Sequence, residues 1–495
     1  MCGVVAAETA REMIAQVRLG LRKTRTLELR LDYLKNLAEI DAFLAWLRRR
    51  KPRAVLIATC RRKEGGGFFP GSRDEEIGIL AQAARSGCAW CDVEIETAAH
   101  VAKGELARAL APARVIVSHH DFRGTPRNLV GIVRRLKGAG ADAVKIAAQS
   151  QSVSESVRIC ELPRKHRNIV AIPMGEVGLA GRILSLRMGS ALAYGSVEQS
   201  TAPGQLSLEA MRDLYHAGGI TRKTQVYGVI GNPIGHSLSP LLHNTAFAAR
   251  KFDAVFVPFL VRNLRDFMGA MGAFGVKGLS VTIPHKESIR RFLDACDPLA
   301  QRIGAVNTVV VRGGGRLYGY NTDYVGVLRS LERRIRLAGS RVLLFGAGGA
   351  ARAAAFALAQ AGSIVCLCAR RPERARELAR AAGGQVVERA ALAHEFFDAI
   401  VNCTPIGMHP NGGTPLRAAE LNCRIVMDMV YRPLETELLR TARRKGIETI
   451  SGLEMFLAQG FAQYEIWTGE RAPETAMRRA VLSALEEDEK SKRRS

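Results

Sequence analysis

Two lysines in this chain stand where an amine can act on a carbonyl. Lys145 lies inside the apolar run VKIAA, and His120 lies in SHHDF. A lysine in an apolar strand is costly while charged, so burial is expected to lower its pKa and free a nucleophilic amine. Such an amine condenses with a ketone to an imine. The imine draws electrons from the adjacent carbon, whose proton His120 can remove. That is the chemistry of water elimination next to a ketone. Further along, SVTIPHK carries Lys286 and GYNTD carries Asn321 and Asp323. A lysine hydrogen-bonded to a carboxylate can give and retrieve the proton that accompanies hydride transfer. GAGGAAR follows, a variant of the dinucleotide fingerprint with alanine at the last glycine position. Dehydration and reduction form a specific pairing, because the first yields a ketone that the second can reduce.

The elements that must position these residues are visible as periodic runs. Eight apolar, β-branched runs occur in the first half: Gly3–Ala6, Leu27–Leu31, Ala54–Thr59, Cys91–Ile95, Val115–His119, Ala143–Ala147, Ile169–Pro173 and Ala191–Gly195. Amphipathic stretches such as Asp41–Arg50 and Asn128–Lys137 separate them. This rhythm predicts an α/β fold whose residues 1–220 form a (β/α)₈ barrel. A barrel carries its site at the C-terminal ends of its strands, where Glu28, Arg30, Arg61, His120, Arg182, Thr201 and Gln205 fall.

The second half begins at Thr224–Ile230 after a polar connector. Residues 224–335 are expected to form an α/β substrate domain, with helices over 453–485 packing back onto it. Gly313–Gly315 reads as a hairpin turn between Val309–Val311 and Arg316–Tyr320. Residues 336–452 are expected to form a Rossmann domain. Its first strand, Arg341–Phe345, leads into Gly346, Ala347, Gly348, Gly349, Ala350, Ala351 and Arg352. The second strand ends at Ala369–Arg370–Arg371 without an acid for a ribose 2′-hydroxyl. Arg370 and Arg374 suit a 2′-phosphate instead, so the expected cofactor is NADP(H).

The first-half pieces LELRLD, TCRRKEGG, SHHDF, VKIA, the Arg182 region and APGQ resemble type I 3-dehydroquinate dehydratases, in family order. The resemblance implies Lys145 as the Schiff-base lysine and His120 as general acid/base, with Glu64 near His120. It implies Glu28, Arg30, Arg61, Arg182, Thr201 and Gln205 as substrate contacts, with Thr201 standing where the family usually has serine. The second-half pieces GNPIGHSLSP, VTIPHK, AVNT, NTD, GAGGAAR, NCTPIGM and SGLEMFLAQ resemble shikimate dehydrogenases over 225–480. They imply Lys286 and Asp323 as catalytic, and Ser237, Ser239, Thr282, Asn307 and Gln459 as substrate contacts. The loop Gly346–Arg352, Arg370, Arg374, Thr404, Met429 and Gly452 would surround the cofactor, with Tyr431 near both ligands. Together they resemble the fused dehydratase–dehydrogenase of the shikimate pathway, on the route to chorismate and the aromatic amino acids. A quinate-preferring second half is the neighbouring alternative.

The bulk properties agree with a multidomain enzyme. With 495 residues, 47% hydrophobic and 24% charged, the chain has the composition of a globular protein rather than a disordered one. No apolar run reaches the roughly 18 residues of a membrane span. The ten cysteines are scattered, and the lone Cys88/Cys91 pair lacks a second pair at zinc spacing. No metal is expected. The net charge of +25 raises the alternative of a basic nucleic-acid-binding protein with vestigial sites. The arginines are dispersed without aromatic platforms, so a solvated basic surface is expected, with small-molecule substrates, no specific nucleic-acid partner and no membrane partner. The N-terminus lacks a basic-then-apolar or Arg/Ser-rich targeting pattern, which points to the cytoplasm.

Overall fold

The computed structural model describes residues 1–102, 104–198, 204–235, 237–409 and 412–494, with side chains to residue 490. The chain divides into two compact units. The first comprises Met1–Val226 with Asp253–Val276, and the second Tyr227–Phe252 with Lys277–Ser495.

In the first unit, eight strands follow the predicted runs closely: β1 (Cys2–Val5), β2 (Thr26–Arg30), β3 (Val55–Thr59), β4 (Trp90–Glu94), β5 (Arg114–Asp121), β6 (Ala143–Gln149), β7 (Ile169–Met174) and β8 (Tyr194–Ser196). All paired neighbours are parallel, in the order β7-β6-β5-β4-β3-β2-β1-β8. The Ala191 N–H donates to Ile169 O at 2.9 Å, joining the two ends of that order and curling the sheet into a barrel. The helices between strands start at side-chain caps. Thr9, Asn36, Ser72 and Ser152 each accept from the backbone three residues on, and Ser72 with Glu75 forms a capping box.

The strand period of two decides what faces the lumen. Leu27 and Leu29, Cys91 and Val93, Val115 and Val117, Val144 and Ile146 all join the large core between strands and helices. The intervening residues Glu28, Asp92, Glu94, Ser118 and Lys145 therefore point the other way, yet they are also buried. Below them a smaller apolar cluster that includes Val4, Ile57, Ile116 and Val170 fills the lumen. The first unit also takes in the strand β10 (Ala254–Leu260) and the helix Leu264–Ala270.

The second unit holds two sheets. In one, β9 (Gln225–Gly231), β11 (Val276–Val281), β13 (Thr308–Val311), β14 (Leu317–Tyr320) and β12 (Ala295–Cys296) lie side by side in that order. The predicted hairpin is present: β13 and β14 pair antiparallel across Gly313–Gly315. The other sheet orders β17 (Gln385–Val386), β16 (Ile364–Cys368), β15 (Arg341–Phe345), β18 (Phe397–Asn402), β19 (Cys423–Asp428) and β20 (Glu448–Ile450), all parallel. The chain order steps outward from β15 in both directions, so the switch point lies at the end of β15, where the Gly-rich turn sits. The helix Gly452–Thr468 then returns to pack on the helix Asp323–Glu332.

Candidate active sites

In the barrel, Lys145 Nζ donates to Glu28 Oε1 at 2.8 Å and to Asp92 Oδ2 at 2.7 Å. It also stands 4.5 Å from the centroid of the Tyr194 ring. The lysine is 3% exposed, so the group is a buried ionic cluster and not a snorkelling side chain. Burial pushes the Lys145 pKa down, as the sequence predicts, but the two carboxylates outweigh it and the net shift is upward. The expected free amine is thus corrected to a resting ammonium. Burial likewise raises Glu28, yet Lys145, Arg30 and Arg61 overcome this and hold it down at about 2. Thr59 donates a further hydrogen bond to Glu28 at 3.0 Å.

His120 is held by Glu94. Its backbone N–H donates to Glu94 Oε1 at 2.9 Å, and its Nδ1 lies 2.9 Å from Glu94 Oε2. A carboxylate at Nδ1 fixes the proton there, leaving Nε2 as the basic nitrogen. Burial lowers the His120 pKa, Arg61 lowers it further, and Glu94 only partly compensates. Glu94 itself is held at about 2, because His120, Arg61 and Ser118 outweigh its burial. The sequence reading sets Glu64 beside His120. Glu94 occupies that position instead, while the Glu64 side chain is 70% exposed and pairs with Arg62 at 3.2 Å. The reason is geometric: Glu94 sits on β4, adjacent to β5, with its side chain turned inward, whereas Glu64 sits in a short 3₁₀ turn outside the strands.

Arg30 grips Asp32 through two bonds, 2.9 and 2.7 Å, and lies 4.7 Å over the Tyr33 ring. Arg61 runs past Glu94 at 3.5 Å and Asp92 at 3.8 Å. Arg182 is buried on the helix Gly175–Arg187, where burial lowers its pKa to about 10. Gln205 is half-buried. Thr201 lies outside the described residues. Three buried polar atoms near Lys145, namely Arg61 Nη2, Asp92 Oδ1 and Tyr194 OH, have no hydrogen-bond partner among the described residues. Buried polar atoms normally find partners, so their number here points to a polar ligand. Asp92, Glu94, Ser118 and Tyr194 were not singled out from sequence; the available signal was an acid recurring at every second position of a β-rich run.

In the second unit, Lys286 Nζ donates to Asp323 Oδ2 at 2.5 Å. The pair is 23% and 8% exposed, unlike a surface salt bridge. Asn307 Nδ2 donates to the other carboxylate oxygen at 2.8 Å. Lys286 follows the strand β11, and Asp323 opens the helix Asp323–Glu332 with its N–H donating to Asn321 Oδ1. Ser237 Oγ accepts from the Ser239 N–H at 3.3 Å, so the two serines form the turn that starts the helix Ser239–Ala249. Thr282 abuts Gly231, where a Cβ would come within 2.6 Å of its methyl. Gln459 donates to Phe456 O inside its own helix, and Tyr431 stacks on Phe456 with centroids 4.7 Å apart. The structure therefore joins Lys286, Asp323 and Asn307 directly, while Ser237, Ser239, Thr282 and Gln459 make local contacts.

At the end of β15, Gly346 adopts φ +120°, a conformation closed to residues with a Cβ, and its N–H donates to Cys368 O. Gly348 caps the helix Gly349–Gln360, and the space a Cβ would occupy at Gly348 and Gly349 is open. Backbone N–H groups at such a helix start favour a phosphate. Ala347 and Ala350 are half-exposed in this turn, and Ala351 is buried behind it. Arg352 turns back to donate to Ile303 O at 2.8 Å. Thr404 Cγ2 lies 3.0 Å from where a Gly346 Cβ would stand, and its hydroxyl donates to Asn402. Gly452 allows no side chain because the Met429 carbonyl lies 2.5 Å from its Cβ position. Arg370 and Arg374 are exposed and have no ion-pair partner among the described residues.

The first 222 residues match the family described as type I 3-dehydroquinase. Residues 229–309 match the shikimate dehydrogenase substrate binding domain, and 452–482 the shikimate 5′-dehydrogenase C-terminal domain. Residues 341–431 match the family described as NADP oxidoreductase coenzyme F420-dependent. The chain is 36% identical to a bifunctional 3-dehydroquinate dehydratase/shikimate dehydrogenase, chloroplastic, of Arabidopsis thaliana, over 96% of this chain and 82% of that protein. It is 45% identical to a shikimate dehydrogenase (NADP(+)) of Symbiobacterium thermophilum, over 53% of this chain and 95% of that one. Among solved structures it resembles the shikimate 5-dehydrogenase of Thermus thermophilus in complex with NADP(H) and shikimate. That likeness has a TM-score of 0.50 at 37% identity and covers 53% of this chain and 100% of that one.

Proposed function

The chain belongs to the family of bifunctional 3-dehydroquinate dehydratase/shikimate dehydrogenases, and on that premise we propose that it dehydrates 3-dehydroquinate in the barrel and reduces the product, 3-dehydroshikimate, to shikimate with NADPH in the second unit. The observation that carries the first half is Lys145, buried in the lumen beside two carboxylates, with the basic histidine His120 in the same cluster of charges. His120 Nε2 takes the ammonium proton as the amine attacks the substrate ketone and passes it to the departing carbinolamine oxygen. Imine formation expels one water. His120 Nε2 then removes the proton from the neighbouring carbon, and the electron pair flows toward the iminium. The substrate hydroxyl leaves as a second water, with the proton held on His120, and hydrolysis of the imine returns Lys145. Glu28, Arg30, Arg61, Arg182 and Gln205 hold the carboxylate and hydroxyls, and the family resemblance adds Thr201 as a further substrate contact.

In the second unit the Gly346–Arg352 turn fits a pyrophosphate, and Arg370 with Arg374 fits a 2′-phosphate. Bound NADPH supplies the hydride. Lys286 gives the proton to the developing alkoxide, and Asp323 keeps the ammonium aimed. Ser237, Ser239, Thr282, Asn307 and Gln459 bind the substrate, with Tyr431 near both ligands and Thr404, Met429 and Gly452 lining the cofactor. We assign residues 1–220 to the barrel domain, 224–335 with 453–485 to the substrate domain, and 336–452 to the NADP domain. The matched ranges support this division. No described helix is long and apolar enough to cross a membrane. A cytoplasmic site of action is part of this proposal, although the Arabidopsis relative is chloroplastic by name.

Borohydride reduction in the presence of 3-dehydroquinate tests the first half directly. Mass spectrometry should find the trapped adduct on Lys145. An unmodified Lys145 in an enzyme that still turns over would remove the imine mechanism.

A further inference from the structure

Behind the second site lies a buried amide, Gln463, on the helix Gly452–Thr468. It is 1% exposed, and both ends of its side chain are used. Oε1 accepts from Ser280 Oγ at 2.8 Å and faces His243 Nε2 at 3.2 Å. Nε2 donates to the Asn307 backbone carbonyl at 3.2 Å and to Thr308 Oγ1 at 3.0 Å. A carbonyl can only accept, so the direction of this amide is forced. Since Thr308 Oγ1 accepts from Gln463, its own hydrogen goes to Asn307 Oδ1 at 2.8 Å. The Thr322 N–H, which can only donate, reaches that same oxygen at 2.7 Å. Asn307 is thereby pinned with Nδ2 toward Asp323. A flipped Asn307 would present its oxygen to a carboxylate.

We propose that Gln463 is a positioning residue for the reduction, acting through Thr308 and Asn307 to keep a hydrogen-bond donor on Asp323. The proposal rests on the assignment of Lys286 and Asp323 as the proton-handling pair. The titratable groups in the network are Lys286, Asp323 and His243. Burial holds the His243 pKa at about 3, so this ring stays neutral through the working range and does not reorient Gln463. Removing Gln463 lets the Thr308 hydroxyl turn away from Asn307 Oδ1, so that oxygen keeps only its Thr322 contacts and Asn307 is held less firmly against Asp323. The Asp323 carboxylate then loses a donor and becomes easier to protonate.

The test uses the full chain with Q463M, which keeps the bulk and deletes the amide, and T308V, which cuts the next link at nearly constant shape. Reduction of 3-dehydroshikimate is followed against pH, with dehydratase turnover and the KM for NADPH as references in the same molecules. Each variant should lose kcat about tenfold and move the acid limb of kcat up by about one pH unit, as expected for one lost donor. The references should stay within about twofold. In an N307A background, Q463M should add little further loss. A folded variant whose pH profile overlays the wild type, or a Q463M loss that adds in full to N307A, overturns the proposal. If Q463M does not fold, T308V decides alone. D323N with undiminished reduction would remove the premise itself, whereas an inactive D323N beside an unshifted Q463M would remove only the network.

Discussion

The two catalytic lysines are solved by opposite means. Lys145 is rooted in the middle of a strand, 3% exposed, and touches acids 117 and 53 residues away along the chain. Lys286 follows a strand end, is 23% exposed in its side chain, and meets one acid 37 residues away. In the barrel the scaffold itself is the site, because alternate residues of parallel strands converge on the lumen. In the second unit the sheet only delivers turns and helix starts, and short motifs at those points carry the chemistry. A deeply buried charge cluster should be intolerant of any single deletion, whereas the more accessible Lys286–Asp323 pair should lose catalysis with less loss of fold.

Four measurements can break that contrast, from the largest expected effect downward. Lys145→Ala should lower dehydratase turnover by roughly 10⁴-fold or more while reduction of added 3-dehydroshikimate continues; loss of both activities would contradict independent sites. Asp323→Asn should do the converse, lowering reduction by about 10²–10³-fold with the melting temperature nearly unchanged. Thermal melts of the two variants sharpen the comparison, since only the Lys145 variant leaves two buried carboxylates uncompensated and should melt lower.

The third concerns pH. His120 must be neutral to act as a base, and its pKa lies below the usual histidine value because burial and Arg61 disfavour the imidazolium. Dehydratase activity should therefore persist below about pH 6.5 before falling. Glu94 raises this pKa, so Glu94→Gln should shift the acid limb to still lower pH and cut kcat about 10- to 100-fold through loss of the tautomer. An acid limb at or above the ordinary histidine value would contradict this environment. The fourth and smallest effect is at the exposed rim. Arg370→Ala and Arg374→Ala should each raise the KM for NADPH several-fold, about 1 kcal/mol of phosphate contact, and leave that for NADH unchanged.

The same contrast explains what the sequence revealed. The strands were legible because apolar period-two runs repeat, and the second site was legible because its residues cluster in contiguous turns. Lys145 and His120 stood out as polar residues in apolar runs. Glu94 did not, because an acid on an alternating strand reads as solvent-facing until the barrel closes around it. Glu64 was placed beside His120 only by the family resemblance, yet its segment forms a surface turn. The charge state of Lys145 was equally out of reach, since it depends on two acids brought close only by the fold. Gln463 lies 156 residues from Asn307 and looks like any isolated polar residue on a largely apolar helix.

The most direct test is to mix the purified protein with 3-dehydroquinate and NADPH and to follow NADPH loss together with shikimate formation. One shikimate per NADPH oxidised, with 3-dehydroshikimate passing through as the intermediate, is the expected result. Unchanged 3-dehydroquinate and NADPH would contradict the account at its first step, and accumulating 3-dehydroshikimate with intact NADPH would contradict it at the second.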